Sequence, residues 1–151
     1  MIQRIQSIYL LLAAAVLASP IFLPLATATG DTTALASTGD NFFADGIYWV
    51  KEFPGGISLL FAAAFSIYAI FLYKDRTRQM NLAGGMSILT ILLSALFASL
   101  GYYYAQHLPE GSAVHLAVGS AFPVIAVPLL VLAYHAIKKD EELVRSSDRL
   151  R

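Results

Sequence analysis

Histidine is the one side chain in this sequence that titrates near neutral pH, and there are three of them. His107 and His115 flank a tight loop, so the two imidazoles can approach each other, as the ligands of a metal or a haem do. His135 lies a membrane thickness away. No further donor accompanies the pair, so both are read as interfacial polar residues, and neither a metal nor a cofactor is assigned. Asp31, Asp40, Asp45 and Glu52 share one polar segment but lack the spacing of a calcium-binding loop, and solvated charge is the expectation. Cysteine is absent, which excludes disulfides, thiolate nucleophiles and thiolate-ligated metals. There is no phosphate-binding loop, nucleophile elbow or HExxH. No catalytic residue is therefore expected, and the chain reads as non-enzymatic.

The elements that would carry these residues are set by hydropathy. Of 151 residues 58% are hydrophobic and only 13% charged, against about a quarter charged in soluble domains. Four runs, at 7–26, 55–73, 82–106 and 112–137, contain no Asp, Glu, Lys or Arg. A helix of about 19 residues spans about 28 Å, close to the hydrocarbon thickness of a bilayer. Backbone polar groups cannot stay unpaired in lipid, so such runs are expected to be helices. The fold class predicted is all-α: an integral membrane four-helix bundle forming a single membrane domain over 1–151. An outer loop at 27–54 and a cytoplasmic tail at 138–151 complete it.

The basic residues give the orientation. Arg4 precedes the first run; Lys74, Arg76 and Arg78 separate the second and third; Lys138, Lys139, Arg145, Arg149 and Arg151 follow the fourth. Only Lys51 falls on the other side. This positive-inside pattern places both termini in the cytoplasm and the chain in a bacterial inner membrane. The formal net charge is zero, so no global field points to nucleic acid. No intramembrane carboxylate marks a proton relay or an ion-coupled transporter.

Finer features carry further expectations. Arg4, an apolar stretch and Ala26-Thr27-Ala28 also resemble a secretory signal, but the apolar part is longer than a usual signal core. Pro20 and Pro24 are expected to kink the first helix, which then continues toward Leu25; Pro123 and Pro128 interrupt the fourth. Small residues let helices approach in lipid, and Ala62 with Ser66, Ser94 with Ala98, Ala95 with Ser99, and Ala117 with Ala121 are candidate contacts. The short links at 74–81 and 107–111 make helices two, three and four antiparallel neighbours. Tyr102, Tyr103 and Tyr104 end the third helix at the outer headgroup level. In the outer loop a polar first half is expected to be mobile. Beyond it Phe42-Phe43-Ala44 and Ile47-Tyr48-Trp49 flank Asp45-Gly46, the signature of a short β-hairpin.

The tail contains neither Pro nor Gly and is expected to continue the fourth helix. Lys138 with Glu142, and Glu141 with Arg145, stand at i and i+4. The opening Met-Ile-Gln-Arg-Ile-Gln-Ser-Ile-Tyr-Leu-Leu-Leu-Ala-Ala, the loop Tyr73-Lys74-Asp75-Arg76-Thr77-Arg78-Gln79 and the closing Ala-Ile-Lys-Lys-Asp-Glu-Glu-Leu-Val-Arg-Ser-Ser-Asp-Arg-Leu-Arg resemble one family. It is a family of small four-span membrane proteins of the Bacteroidota and relatives, carrying a domain of unknown function. The resemblance covers essentially the whole chain and implies location and topology rather than chemistry. Its motifs are the cytoplasmic tips.

Four spans empty of ionisable groups and a motif-rich inner face lead to one expectation. The chain reads as an accessory or scaffold subunit that contacts a partner or anionic lipid through Arg4, Arg76, Arg78, Lys138, Lys139, Arg145 and Arg149. The alternative is a small transporter or lipid-handling protein using the Pro-interrupted helices one and four, with a cavity between them.

Overall fold

Two of the four uncharged runs, the second and third, fold as anticipated, and the other two carry a segment of sheet that hydropathy does not announce. The computed structural model describes residues 2–29, 47–51, 55–107 and 113–148. Among them are four α-helices: α1 (Ile2–Ala18), α2 (Gly56–Phe71), α3 (Arg76–His107) and α4 (Ala121–Asp148). Three short strands, β1 (Ala26–Thr29), β2 (Ile47–Tyr48) and β3 (Ala113–Leu116), form an antiparallel sheet in the order β2-β1-β3. The molecule is thus mostly helical with a small sheet.

The helices pack in a ring. α1 lies against α2 and α4, and α3 against the same two. Gln6 near the start of α1 reaches Ala136 near the end of α4, and Arg76 at the start of α3 reaches Asp140 on α4. Sequential neighbours therefore run antiparallel. The α1–α4 seam has one repeat on both sides: Gln6, Leu10, Ala13 and Leu17 are buried on α1, and Ala126, Leu130, Ala133 and Ile137 on α4. Both sets step by four, three and four residues, one face of a helix with 3.6 residues per turn. Alternating Leu with Ala lets the two faces interdigitate. On α2 the buried stripe is Leu59, Ala62, Ala63, Ser66 and Ala69, whose small side chains permit close approach. Ser66 satisfies its hydroxyl on the Ala62 carbonyl, 2.7 Å away. Of the four small-residue pairs, Ala62 with Ser66 is the one fully buried. Ala95, Ala98, Ser99 and Ala121 are exposed, and Ala117 precedes α4.

The first run does not continue as a helix to residue 26. α1 ends at Ala18, and Pro20 lies in a single 3-10 turn, Ser19–Ile21. Proline lacks the N–H that a further helical turn needs, and a second proline follows at Pro24. The chain then turns extended, and the Ala26-Thr27-Ala28 stretch becomes the central strand. The fourth run is likewise not helical from 112. Residues Ala113–Leu116 pair with β1, a 3-10 turn follows at Val118–Ser120, and α4 begins at Ala121. Pro123 thus stands in the first turn of α4, where no backbone donor is needed, and only Pro128 is interior. α3 starts earlier than hydropathy suggests because Asp75 caps it, accepting from the Arg78 N–H at 3.1 Å. The tail does continue α4, to Asp148.

Of the hairpin expected around Asp45-Gly46, only the second arm lies within the described residues. Its second arm, Ile47–Tyr48, bonds to Ala26 and Thr27 of β1. Its first arm and its turn, the polar stretch at 30–46 and the acidic residues Asp31, Asp40, Asp45 and Glu52 lie outside the described residues. Further bonds extend the pairing beyond the strands: Leu25 N–H to Tyr48 carbonyl (2.8 Å), Ala117 N–H to Leu25 carbonyl (3.1 Å) and Gly119 N–H to Pro24 carbonyl (3.0 Å). Two glycines make this approach possible. A Cβ at Gly119 would overlap the Pro24 and Leu23 carbonyl oxygens, and one at Gly56 the Val50 carbonyl.

The outward faces are apolar. Ile8 and Leu12 on α1, Phe61 and Phe65 on α2, Ile88 and Leu92 on α3, and Ile125 and Leu132 on α4 are all exposed. Two stretches, Arg76–Tyr103 and Val118–Ser146, are long and apolar enough to cross a membrane; α1 and α2 are apolar but shorter.

Candidate functional site

The end of the bundle opposite the sheet gathers the polar groups. The link from α2 to α3 supplies Tyr73, Lys74 and Asp75, α3 supplies Arg76 and Arg78, and α4 supplies Lys138 to Arg145. Asp75 holds two positions at once: it caps α3 and accepts from Arg78 Nε at 2.9 Å. Its negative charge also complements the positive end of the α3 dipole. Arg76 crosses to α4. Its Nε stands 3.3 Å from Asp140 Oδ2, and its Nη1 is 3.5 Å from the Asp140 carbonyl. The two side chains keep only 23% and 13% of their exposure. The Nε contact is an ion pair without hydrogen-bond alignment, since Oδ2 has no hydrogen-bond partner. The next residue of α4, Glu141, accepts from Arg145 Nε at 2.9 Å, the acid-first i, i+4 pair read from the sequence.

Two glutamines close the bundle beneath these pairs. Gln6 and Gln79 are each 2% exposed. Gln6 Nε2 donates to the Ala136 carbonyl at 3.1 Å, bridging α1 to α4. Both belong to polar tips that the sequence reading assigned to outside contact, and both face inward. Their signal was available in the spacing: Gln6 starts the buried α1 repeat, and Gln79 follows Arg76 by three residues on one helix face.

Of the residues named from sequence, Arg76, Arg78, Lys138, Lys139 and Arg145 come together at this end. Arg76, Arg78 and Arg145 each engage a carboxylate of the chain itself. Lys138 and Lys139 are exposed. The side chain of Arg4 and all of Arg149 lie outside the described residues. Between the link and α4 runs an open groove of about 610 Å³, bordered by Tyr73, Lys74, Asp75, Arg76, Thr77 and Glu141. It presents both signs of charge. Among the described residues no cluster of His, Asp and Glu is placed to hold a metal. His115 sits at the other end on β3, exposed, with Nε2 3.4 Å from Thr29 Oγ1. The side chain of His107, paired with it in the sequence analysis, lies outside the described residues.

The sheet end carries a different feature, an apolar cavity of about 300 Å³ between α3 and α4. Its floor is formed by Leu25, Leu59 and Leu93, all buried. Above them Phe97 stacks on Tyr48 at 6.2 Å and holds the sheet against α3.

The domain of unknown function DUF4293 matches residues 2–150. The chain belongs to this family. No curated protein and no solved structure matches it. The DUF4293 match takes in the start of α1, the α2–α3 link and the α4 tail. The polar end is therefore part of the family's domain and not an appendage to it.

Proposed function

We propose that this DUF4293 chain is a four-span integral protein of the bacterial inner membrane, with both termini in the cytoplasm. In this reading it serves as a non-enzymatic accessory or scaffold subunit. The observation that supports it is the layering of the bundle. A belt of exposed Ile, Leu and Phe on all four helices lies between a polar end and a sheet end. Every described Lys and Arg except Lys51 stands at the polar end. An apolar surface of this extent needs hydrocarbon as its solvent, and the basic end is the one retained in the cytoplasm. α1 and α2 stop short of about 30 Å, and the sheet, with β1 paired on both sides, lies at the end where they stop.

The contact surface in this reading is the outward part of the basic end: Lys138, Lys139 and the rim of the open groove. Arg76 is committed to Asp140 and acts by shaping that rim. The partner is a protein or the anionic headgroups of the inner leaflet. Reporter fusions at residues 148 and 51 should report cytoplasm and periplasm respectively. Crosslinking followed by mild-detergent purification should recover a stoichiometric companion, and Lys138→Glu with Lys139→Glu should reduce its yield. Recovery of the chain alone from crosslinked membranes speaks against the scaffold role.

A second reading, lipid handling, draws on the apolar cavity. That cavity lies between α3 and α4, with Pro123 in its wall. α1 and α4, the pair named from the prolines, instead share a seam of fully buried Leu and Ala.

A further inference from the structure

The cavity at the sheet end has the properties of a site for one hydrocarbon chain. It exists because α3 presents Ala98, Gly101 and Ala105 toward α4, where larger side chains would close the gap. A Cβ built at Gly101 meets nothing within 4 Å. β3 packs against α3 at this end, and Val114 and Leu116 join the lining.

Its lining sets the chemistry of an occupant. The hydroxyls in the wall are already satisfied: Ser94 donates to the Thr90 carbonyl and Ser120 to the Ala117 carbonyl, at 2.8 and 2.7 Å. Beyond the Tyr102 hydroxyl at the rim, no uncommitted side-chain donor lines the cavity, so its interior suits an apolar occupant. The volume, about 300 Å³, is about twice that of an engineered cavity of about 150 Å³ that takes up benzene. Its edge residues Ala98, Tyr102, Leu116 and Val124 are exposed, so the mouth opens sideways between α3 and α4. That is the direction of the apolar belt. Tyr102 at the rim has an apolar ring and a polar hydroxyl, suited to the headgroup level.

We propose that this cavity takes up one acyl chain of a bilayer phospholipid, with its headgroup held at the level of Tyr102; the proposal rests on the membrane reading above. The occupant comes from the phase that the mouth faces, and the buried Leu floor stops the chain end.

The test uses the full chain reconstituted in phosphatidylethanolamine–phosphatidylglycerol vesicles carrying a phospholipid with a diazirine near its acyl terminus. The label is expected on the α3 peptide spanning 93–105, to be lost in Gly101→Leu and retained in Gly85→Leu. Gly85 has equal open space but lies outside the cavity, so it controls for the helix and the substitution. Uniform labelling of all four helices, or labelling unchanged in Gly101→Leu, overturns the proposal. So does displacement of the probe by a polyprenol but not by unlabelled phospholipid, which would assign an isoprenoid. Absence of label with a crosslinked dimer across the mouth would assign a second copy instead. A chain that fails to float with the vesicles removes the membrane reading as well; one that floats and labels uniformly removes only the cavity site.

Discussion

Arg76 of α3 and Asp140 of α4, 64 positions apart in sequence, meet with Nε 3.3 Å from Oδ2 at the polar end of the bundle. The contact fixes how far α3 and α4 slide along each other, because each residue sits at a set height on its helix. It also removes Arg76 from the set of cations available to a partner.

Because both groups retain little solvent, removing one strands the other. Arg76→Ala and Asp140→Ala should each destabilise the protein by about 1–3 kcal/mol. The double variant should cost clearly less than the sum. Denaturant titration of the detergent-solubilised protein gives the cycle, and additivity within about 0.5 kcal/mol would mean the pair is not coupled.

Gly119→Ala forces a methyl group against the Pro24 and Leu23 carbonyls. Overpacking against backbone should cost about 1–3 kcal/mol and break the Gly119–Pro24 hydrogen bond. Gly101→Ala, with open space beside it, should lie within about 1 kcal/mol of the parent, the helix-propensity scale of glycine. Melting temperatures of the two variants in one detergent make the comparison; equal losses would refute the close approach.

Gln6→Ala removes the donor to the Ala136 carbonyl at the α1–α4 seam. Hydrogen bonds between helices in lipid average about 0.6 kcal/mol, so a loss of about 0.5–1.5 kcal/mol is expected. Ile8→Ala, on the outward face, should change stability by less than about 0.5 kcal/mol. Thermal unfolding distinguishes them, and the reverse ranking would place Gln6 outside the interface.

The amides of Leu25, Ala117 and Gly119 lie outside every α-helix yet donate to carbonyls at 2.8, 3.1 and 3.0 Å. Hydrogen exchange should show them protected to a degree similar to the interior of α2. Exchange at the rate of an open loop would indicate that the sheet does not close the bundle in solution.

How far the sequence reached depends on what each residue's environment is. α2 and α3 were legible because their runs contain no proline and their apolar content exceeds what any strand needs. The start of α3 was placed at 82 instead of Arg76 because hydropathy marks greasy surface, whereas Asp75 marks the helix end by its cap. The strands were missed for a different reason. Ala-Thr-Ala-Thr and Ala-Val-His-Leu do alternate, but each lies within or beside an uncharged run, and their pairing is non-local. Thr29 and Ala113 meet across 84 positions, so no window on the chain contains both. The basic end was visible from Lys and Arg alone; that Asp140 would absorb Arg76, and that Gln6 and Gln79 would turn inward, depends on helix rotation, which the ring of four sets.

The strand order has a consequence in time. β1 occupies the middle of the sheet, and the neighbour that covers most of it, β3, is synthesised only after α3 is complete. A ribosome-bound chain in which α1, α2 and α3 have been made still carries β1 with a bare backbone edge, a template for wrong pairing or for proteases. Arrival of residues 113–116 clasps the first connection to the last, so the bundle locks only when its final helix enters.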